Sequence, residues 1–147
     1  MILYRERMWP APWLFASTAL VIPASLLVFL PINLVVGIAA AAVLYSGSIA
    51  LLLLSSPLLL LTEQDLRAGR ARIPVGLIGT VHGFHGAEAT LERGRMLDAR
   101  AYLVIRGWID PVLRINILDP EDPTPYWLLS TRKPAALAAA ITAATAQ

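Results

Sequence analysis

Three acidic side chains lie close together in the stretch DPEDPTPYWLLST, which covers residues 119–131. Carboxylates at such spacing could bind calcium, which takes oxygen ligands at defined positions around a loop with a glycine at its sharp turn. This stretch has no glycine, and prolines follow Asp119, Asp122 and Thr124. Because proline restricts its own backbone and that of the preceding residue, these prolines favour a rigid, extended turn. We therefore predict a solvent-facing hairpin loop between two strands, and no metal site.

Two histidines frame the sequence HGFH at residues 82–85. Residues three apart point to opposite faces of a strand, whereas on a helix they would align. Gly83 and Gly86 disfavour a helix, and no cysteine or nearby acid completes a zinc ligand set. His82 and His85 are therefore interpreted as ordinary loop or half-buried histidines.

The residue types that catalysis requires are not brought together by any motif in the sequence. The chain has no cysteine and no Gly-x-Ser-x-Gly elbow, and its glycines match neither a phosphate loop nor a dinucleotide fingerprint. We therefore predict no catalytic residue and no cofactor, and a chain that is not an enzyme on its own.

Three arginines, Arg67, Arg70 and Arg72, follow a long apolar stretch. Basic residues held beside a membrane attract anionic lipid with about 1 kcal/mol each, so these three are candidate lipid headgroup contacts. The alternative is that they only set topology and alternate along an exposed strand, since Glu63 and Asp65 lie beside them.

A second set combines arginine with aromatic residues on neighbouring predicted strands. Such residues are the usual anchors of protein interfaces, and they serve equally well in a core or at a barrel rim. The candidate protein interface consists of Arg106, Trp108, Arg114, Tyr126 and Trp127.

The elements that must position these residues begin with a stretch, residues 8–62, that contains no charged residue and no histidine. Two apolar runs within it, 13–30 and 34–54, would span roughly 27 and 31 Å as helices, which is close to the hydrocarbon thickness of a bilayer. Pro31 and Asn33 separate the runs and favour a tight turn, and Pro23 predicts a kink in the first run. We predict two transmembrane helices forming a membrane α-helical hairpin over residues 13–56.

Small residues recur every four positions in the second run, at Ala42, Ser46 and Ala50. Such spacing lets two helices approach closely, either in a homodimer or against the first helix of the same chain. Arg5 and Arg7 precede the first run, while basic residues also follow the second. This pattern predicts cytoplasmic N- and C-termini in the plasma membrane, with a cleaved signal peptide as the alternative.

The remaining residues, 57–147, alternate between short strand-like segments and turns and end in an alanine-rich helix. This order predicts a small α+β domain of antiparallel strands with a C-terminal helix, by analogy a pleckstrin-homology-like domain. Residues 1–12 are predicted to form a separate cytoplasmic N-terminal segment. A net charge of only +2 argues against a nucleic-acid partner.

Landmarks along nearly the whole chain resemble a family of actinobacterial two-span membrane proteins, domain of unknown function 3093. They include Tyr4-Arg5-Glu6-Arg7, Leu97-Asp98, Ala101-Tyr102, Arg106-x-Trp108, Pro111 and the closing stretch from Asp119 to Pro134, in which DPTPYWL is the most specific part. The resemblance implies a cytoplasmic-membrane protein with a domain on the inner face, and it implies no activity.

The combined prediction is a helical hairpin in the lipid bilayer that displays a non-enzymatic interaction module to the cytosol and recruits a protein partner there. Sensing of anionic lipid headgroups is the alternative function. A third interpretation is an enzyme subunit whose site is completed by another chain.

Overall fold

The charge-free stretch of the sequence folds as a unit of helices, residues 9–56, in a computed structural model that describes residues 1–146. Its helices are α1 (Pro12–Thr18), α2 (Val21–Phe29) and α3 (Leu34–Leu54). Asn33 begins α3, and its side-chain oxygen accepts hydrogen bonds from the backbone N–H groups of Val35 and Val36 at 2.8 and 3.4 Å. By length and composition, Pro12–Phe29 and Leu34–Leu54 are both able to cross a membrane.

The first run is interrupted between α1 and α2 rather than at Pro23 itself. Pro23 has no N–H to donate to the carbonyl of Ala19, and its ring crowds that carbonyl. The Ala19 carbonyl accepts instead from the N–H of Ile22 at 3.0 Å, so the chain makes a turn there. The helical run is thus interrupted one turn before Pro23, the residue at which a kink was predicted.

The small residues of α3 divide between two environments. Gly37 and Ala41 are buried, and a Cβ added at Gly37 would lie 3.5 Å from Leu26 and 3.6 Å from Phe29 of α2. Three further small residues, Ala42, Ser46 and Ala50, are exposed. Contact with the first helix of the same chain therefore uses Gly37 and Ala41, while the spacing of the other three stays a prediction of dimer contact.

The second unit comprises residues 1–8 together with the chain from residue 57 onward. Its first sheet, sheet A, is antiparallel throughout, with strands in the order of the sequence. These strands are β1 (Ile2–Arg7), β2 (Leu58–Thr62), β3 (Asp65–Ala68) and β4 (Ala71–Pro74).

The predicted separate segment over residues 1–12 is wrong, because β1 pairs with β2 from Arg7–Leu58 to Ile2–Thr62. Met8 is fully buried in the same core, and its N–H donates to the carbonyl of Pro57 at 3.0 Å. The backbone groups of an edge strand gain hydrogen-bond partners in this way, and this pairing offsets the cost of ordering a charged tripeptide. The boundary between the units lies after Met8.

The second sheet, sheet B, contains β5 (Ile78–Phe84), β6 (Tyr102–Val104), β7 (Val112–Ile117) and β8 (Tyr126–Ser130), in the order β5-β7-β8-β6. The expectation of purely antiparallel strands is wrong at one place, since β6 runs parallel to β8. The connection from β6 to β7 covers residues 105–111. Ile109 is 2% exposed, so this loop packs into the core rather than turning back in solvent.

A core between the two sheets contains Leu59 and Leu61 from sheet A and Ile115 and Leu129 from sheet B. Helix α5 (Pro134–Thr145) contributes Leu137, Ile141 and Ala144 to it, at helical spacing. Helix α4 (Gly86–Arg93) covers the other face of sheet B, where a smaller cluster forms around Val112 and Leu128. The predicted order of antiparallel strands and a C-terminal helix is confirmed.

Candidate functional site

The predicted protein-interface set does not form one exposed surface. Tyr126 and Trp127 are 2% and 4% exposed. As neighbours on β8 they point to opposite faces of sheet B. Trp127 packs in the core against Tyr102, with ring centroids 5.0 Å apart, while Tyr126 lies in the cluster beneath α4. Assigning these two residues to an interface is therefore wrong, because both aromatic rings are used to fill the fold.

Arg114 is likewise used within the domain. Its guanidinium lies 4.0 Å from the centroid of the Tyr126 ring and 3.3 Å from the carboxylate of Glu92 on α4, which is 7% exposed. The hydroxyl of Tyr126 in turn accepts a hydrogen bond from the N–H of Asp98 at 2.8 Å. Arg100 donates hydrogen bonds to the Asp98 carboxylate and lowers its pKa. This cluster fastens α4 and the segment after it to sheet B.

Arg106 and Trp108 lie in the loop between β6 and β7, apart from the Arg114 cluster. The guanidinium of Arg106 lies 6.0 Å from the Trp108 ring, and the backbone N–H of Arg106 donates to the hydroxyl of the buried Ser130 at 3.0 Å. Trp108 is half-buried, and within residues 1–146 its indole N–H is a buried donor that meets no acceptor. Of the five predicted interface residues, these two alone stay near the surface together.

The arginines predicted to contact lipid occupy a different place, on the outer side of sheet A. Arg67 on β3 pairs directly with Arg72 on β4 and, on its other side, with Leu60 on β2. Leu60 pairs with Arg5 on β1. Residues directly opposite in neighbouring strands share a face. Arg5, Arg67 and Arg72 therefore form one cross-strand line, here named the arginine row, and all three are exposed.

The arginine row carries little compensating negative charge. Arg72 forms an ion pair with Asp65, whose side chain is 13% exposed. Glu63 lies 3.3 Å from the N-terminal amine instead of pairing with an arginine. Among residues 1–146, Arg5 and Arg67 have no acidic partner. The row therefore presents a net positive charge to its surroundings.

Arg70, the third predicted arginine, lies in the turn between β3 and β4. Ala68 pairs with Ala71, so Gly69 and Arg70 form a two-residue hairpin turn. Gly69 has φ +62°, which glycine adopts readily and which suits the first central position of such a turn. The turn places Arg70, which is exposed, at the end of the sheet beside the arginine row.

A contact that sequence reasoning missed holds β1, and with it Arg5, in place. The Glu6 carboxylate accepts hydrogen bonds from the hydroxyl of Thr131 at 2.5 Å, the N–H of Arg132 at 2.9 Å and the hydroxyl of Tyr4 at 2.7 Å. Burial, together with the Glu6 carboxylate, raises the pKa of Tyr4 to about 12, although the Thr131 hydroxyl acts in the opposite direction. Glu6 and the segment around Thr131 both belong to the landmark stretches of the sequence, and they meet here. Nothing in the sequence indicated this contact, because the residues are more than 120 positions apart.

The acidic stretch after β7 forms the hairpin loop predicted for it. Its Asp119 and Asp122 carboxylates each accept the N–H two residues further on, at 2.9 Å, so they stabilise turns. The hydroxyl of Thr124 lowers the pKa of the Asp122 carboxyl through a hydrogen bond, and the backbone N–H of Thr124 lowers it further. His82 and His85 are exposed, and the described part of the chain contains no group of three potential metal ligands.

The fold thus defines a two-helix unit joined to a two-sheet domain with one arginine-bearing face. The chain belongs to the family described as protein of unknown function DUF3093, whose family model matches residues 3–141. No curated protein and no solved structure matches it.

Proposed function

We propose that residues 9–56 anchor the protein in the plasma membrane as a two-span hairpin. Two observations support this. Both helical segments have the length of a span, with mean hydropathies of 1.8 and 2.1, and only 6% and 11% of their residues are buried. Core helices of soluble proteins bury most of their apolar side chains, whereas transmembrane helices turn them towards lipid.

We further propose that the domain binds anionic lipid headgroups, and that it acts as a non-enzymatic module. The arginine row carries this proposal, because three exposed guanidinium groups lie in one line across sheet A. Arg70 extends the charge at the end of the sheet. Guanidinium groups bind phosphate through paired hydrogen bonds, and each basic residue near an anionic membrane contributes about 1 kcal/mol.

Lipid binding is preferred to recruitment of a protein partner on a specific ground. The surface expected to bind a partner included Tyr126, Trp127 and Arg114, and these side chains fill or fasten the domain instead. The order of two sheets and a C-terminal helix supports the analogy to pleckstrin-homology-like domains, which is part of this proposal. An enzyme completed by another chain gains no support from the arrangement of the described residues.

The lipid proposal is tested on the full chain, because excising residues 57–147 would remove β1 and Arg5. The double variant Arg5→Gln, Arg67→Gln is reconstituted beside the charge-matched control Arg95→Gln, Lys133→Gln, whose residues are exposed and lie outside the strands of sheet A. Spin-labelled lipids report how strongly each protein selects phosphatidylglycerol over phosphatidylcholine at low salt. We expect the first variant to lose about 2 kcal/mol of this selectivity and the control to retain it. Equal losses in both, or no selectivity in the parent protein, would refute the proposal.

The proposed topology has both termini in the cytoplasm, since basic residues flank the two helices on that side. The chain contains no cysteine, so single cysteines can be introduced cleanly. Ile32→Cys, between the helices, should react with a membrane-impermeant thiol reagent on intact cells, whereas Ala139→Cys on α5 should react only after permeabilisation. Both positions are exposed in the structure, which makes the pair a fair comparison. Labelling of Ala139→Cys on intact cells would contradict the proposed topology and place the C-terminal domain outside the cytoplasm.

A further inference from the structure

The two arginines at the β3–β4 end of the arginine row place two positive charges opposite each other, and Asp65 compensates only the charge of Arg72. Arg67 and Arg72 are direct cross-strand partners. Side chains in this relation start about 5 Å apart, and like charges there destabilise the sheet. A doubly charged anion bound between the two guanidinium groups would offset that repulsion.

We propose that Arg67 and Arg72 together bind a phosphate monoester, the headgroup that phosphatidic acid carries. This inference rests on the proposed lipid binding and specifies which anionic lipid the row selects. A phosphate monoester carries a charge of about −1.5 to −2 at pH 7 and three acceptor oxygens. The phosphodiester of phosphatidylglycerol carries a single charge and two free oxygens. Two guanidinium forks, each of which prefers paired hydrogen bonds, match the first headgroup better than the second.

Asp65 positions Arg72 for the ligand through an ion pair. Its carboxylate accepts a hydrogen bond from the hydroxyl of Thr62 at 3.0 Å, and its side chain is 13% exposed. From this fixed position it holds the guanidinium of Arg72. Arg67 has no acidic partner among the described residues, so one of the two cations faces the ligand without competition.

The proposal predicts a pH dependence that originates in the ligand. The second ionisation of a phosphate monoester has a pKa of about 6, so its charge approaches −2 only above that pH. The charged groups of sheet A and its turns near the two arginines are Arg5, Arg7, Arg70, Asp65 and Glu63, with the N-terminal amine 3.3 Å from the Glu63 carboxylate, and neither histidine of the chain belongs to sheet A. Phosphatidylglycerol has no ionisation between pH 5.5 and 7.5, so its binding reports any titration of the protein itself.

The test titrates the full chain in detergent with dioctanoyl phosphatidic acid and dioctanoyl phosphatidylglycerol, at pH 7.5 and 5.5, by microscale thermophoresis. We expect phosphatidic acid to bind about tenfold more tightly at pH 7.5, the factor of one additional charge-assisted hydrogen bond, and this advantage to fall to about threefold at pH 5.5, where about a quarter of the headgroup is doubly charged. Arg67→Lys keeps the charge but not the fork, so it should lose the preference while retaining the binding of phosphatidylglycerol. Arg95→Gln should behave as the parent protein does.

The outcomes separate this inference from the proposed function. Equal binding of the two lipids, weakened together by Arg67→Gln, would overturn the monoester preference and leave lipid binding intact. Binding of neither lipid would overturn both. Glycerol 3-phosphate serves as the soluble form of the same headgroup. If it binds as tightly as phosphatidic acid, the monoester site is supported and its ligand comes from solution; weak binding of this compound assigns the site to the lipid.

Discussion

The outer faces of the two sheets both carry arginines, but the surroundings of these arginines differ. On sheet B, α4 and the segment after it cover the face, and Arg114 is held between Glu92 and the ring of Tyr126. On sheet A, Arg5 and Arg67 lie exposed without an acidic partner within residues 1–146. An arginine on a strand is therefore better placed to bind a ligand on an open face than on a face that another element covers, and a sequence does not reveal which face is covered.

Removing one arginine from each face should reveal the largest difference between the two sheets. Arg114→Leu leaves the Glu92 carboxylate buried without its cation, and we expect it to lower the free energy of unfolding by about 3 kcal/mol. The matched variant Arg67→Leu should change that free energy by less than about 0.5 kcal/mol, because its side chain is exposed. Denaturant unfolding of the full chain in detergent measures both.

A second variant distinguishes loss of the ion pair from a packing defect caused by the new leucine. Adding Glu92→Leu to Arg114→Leu removes the stranded carboxylate, and replacing a whole buried pair by apolar residues is often close to neutral. We therefore expect the double variant to recover much of the lost stability. If it unfolds as readily as the single variant, the ion pair is not what holds α4 to sheet B.

Glu6→Ala should have the next largest effect, because it removes the contact that fixes the edge of sheet A. The hydroxyl of Thr131, which is fully buried, would lose its charged acceptor, and such hydrogen bonds contribute about 2 kcal/mol. Since β1 carries Arg5, selectivity for anionic lipid should fall in the same variant. Glu63→Ala removes an exposed acid from the turn between β2 and β3 and should leave both stability and selectivity within about 0.5 kcal/mol of the parent values.

The sequence predicted those features that depend on neighbours in the chain. The charge-free stretch predicted the two apolar helical runs, and the prolines after Asp119, Asp122 and Thr124 predicted the loop after β7. Features that depend on distant partners were missed. The strand Ile2–Arg7 looks like a charged tail until β2 pairs with it, and the parallel position of β6 depends on a loop that is buried through Ile109.

The same reason explains the errors at the candidate sites. Alternation implies that Tyr126 and Trp127 point to opposite faces, so one of them would be exposed if sheet B had a bare side. Helix α4 covers that side. Two contacts between residues distant in the sequence hold the helix there: Glu92 pairs with Arg114, and the N–H of Gly86 donates to Asp110. On sheet A, Arg67, Arg70 and Arg72 are exposed and remain candidate lipid contacts, and Arg5 was missed because its strand was missed.

A smaller effect should follow from changing the turn that carries Arg70. Gly69→Ala places a Cβ at φ +62°, and this conformation costs an ordinary residue about 1 kcal/mol although no atom blocks the space. Gly107→Ala, where an added Cβ meets nothing within 4 Å, is the control and should be neutral to within about 0.5 kcal/mol. Thermal unfolding distinguishes the two, and equal melting temperatures would show that the turn adapts.

The smallest effect concerns the covered face and appears only in acid. The backbone N–H of Gly86 and the guanidinium of Arg93 donate hydrogen bonds to Asp110, and they hold the pKa of its carboxyl below the usual 3.8. A carboxyl whose pKa is lower in the folded than in the unfolded chain stabilises the fold above the unfolded value and loses this contribution as the pH falls through the folded one. Asp110→Asn should therefore be less stable than the parent at pH 6, and the difference should shrink below about pH 4. Glu121→Gln, in the exposed loop after β7, controls for the loss of one acid, and a difference that stays constant down to pH 2.5 would mean that Asp110 does not act through its ionised carboxylate.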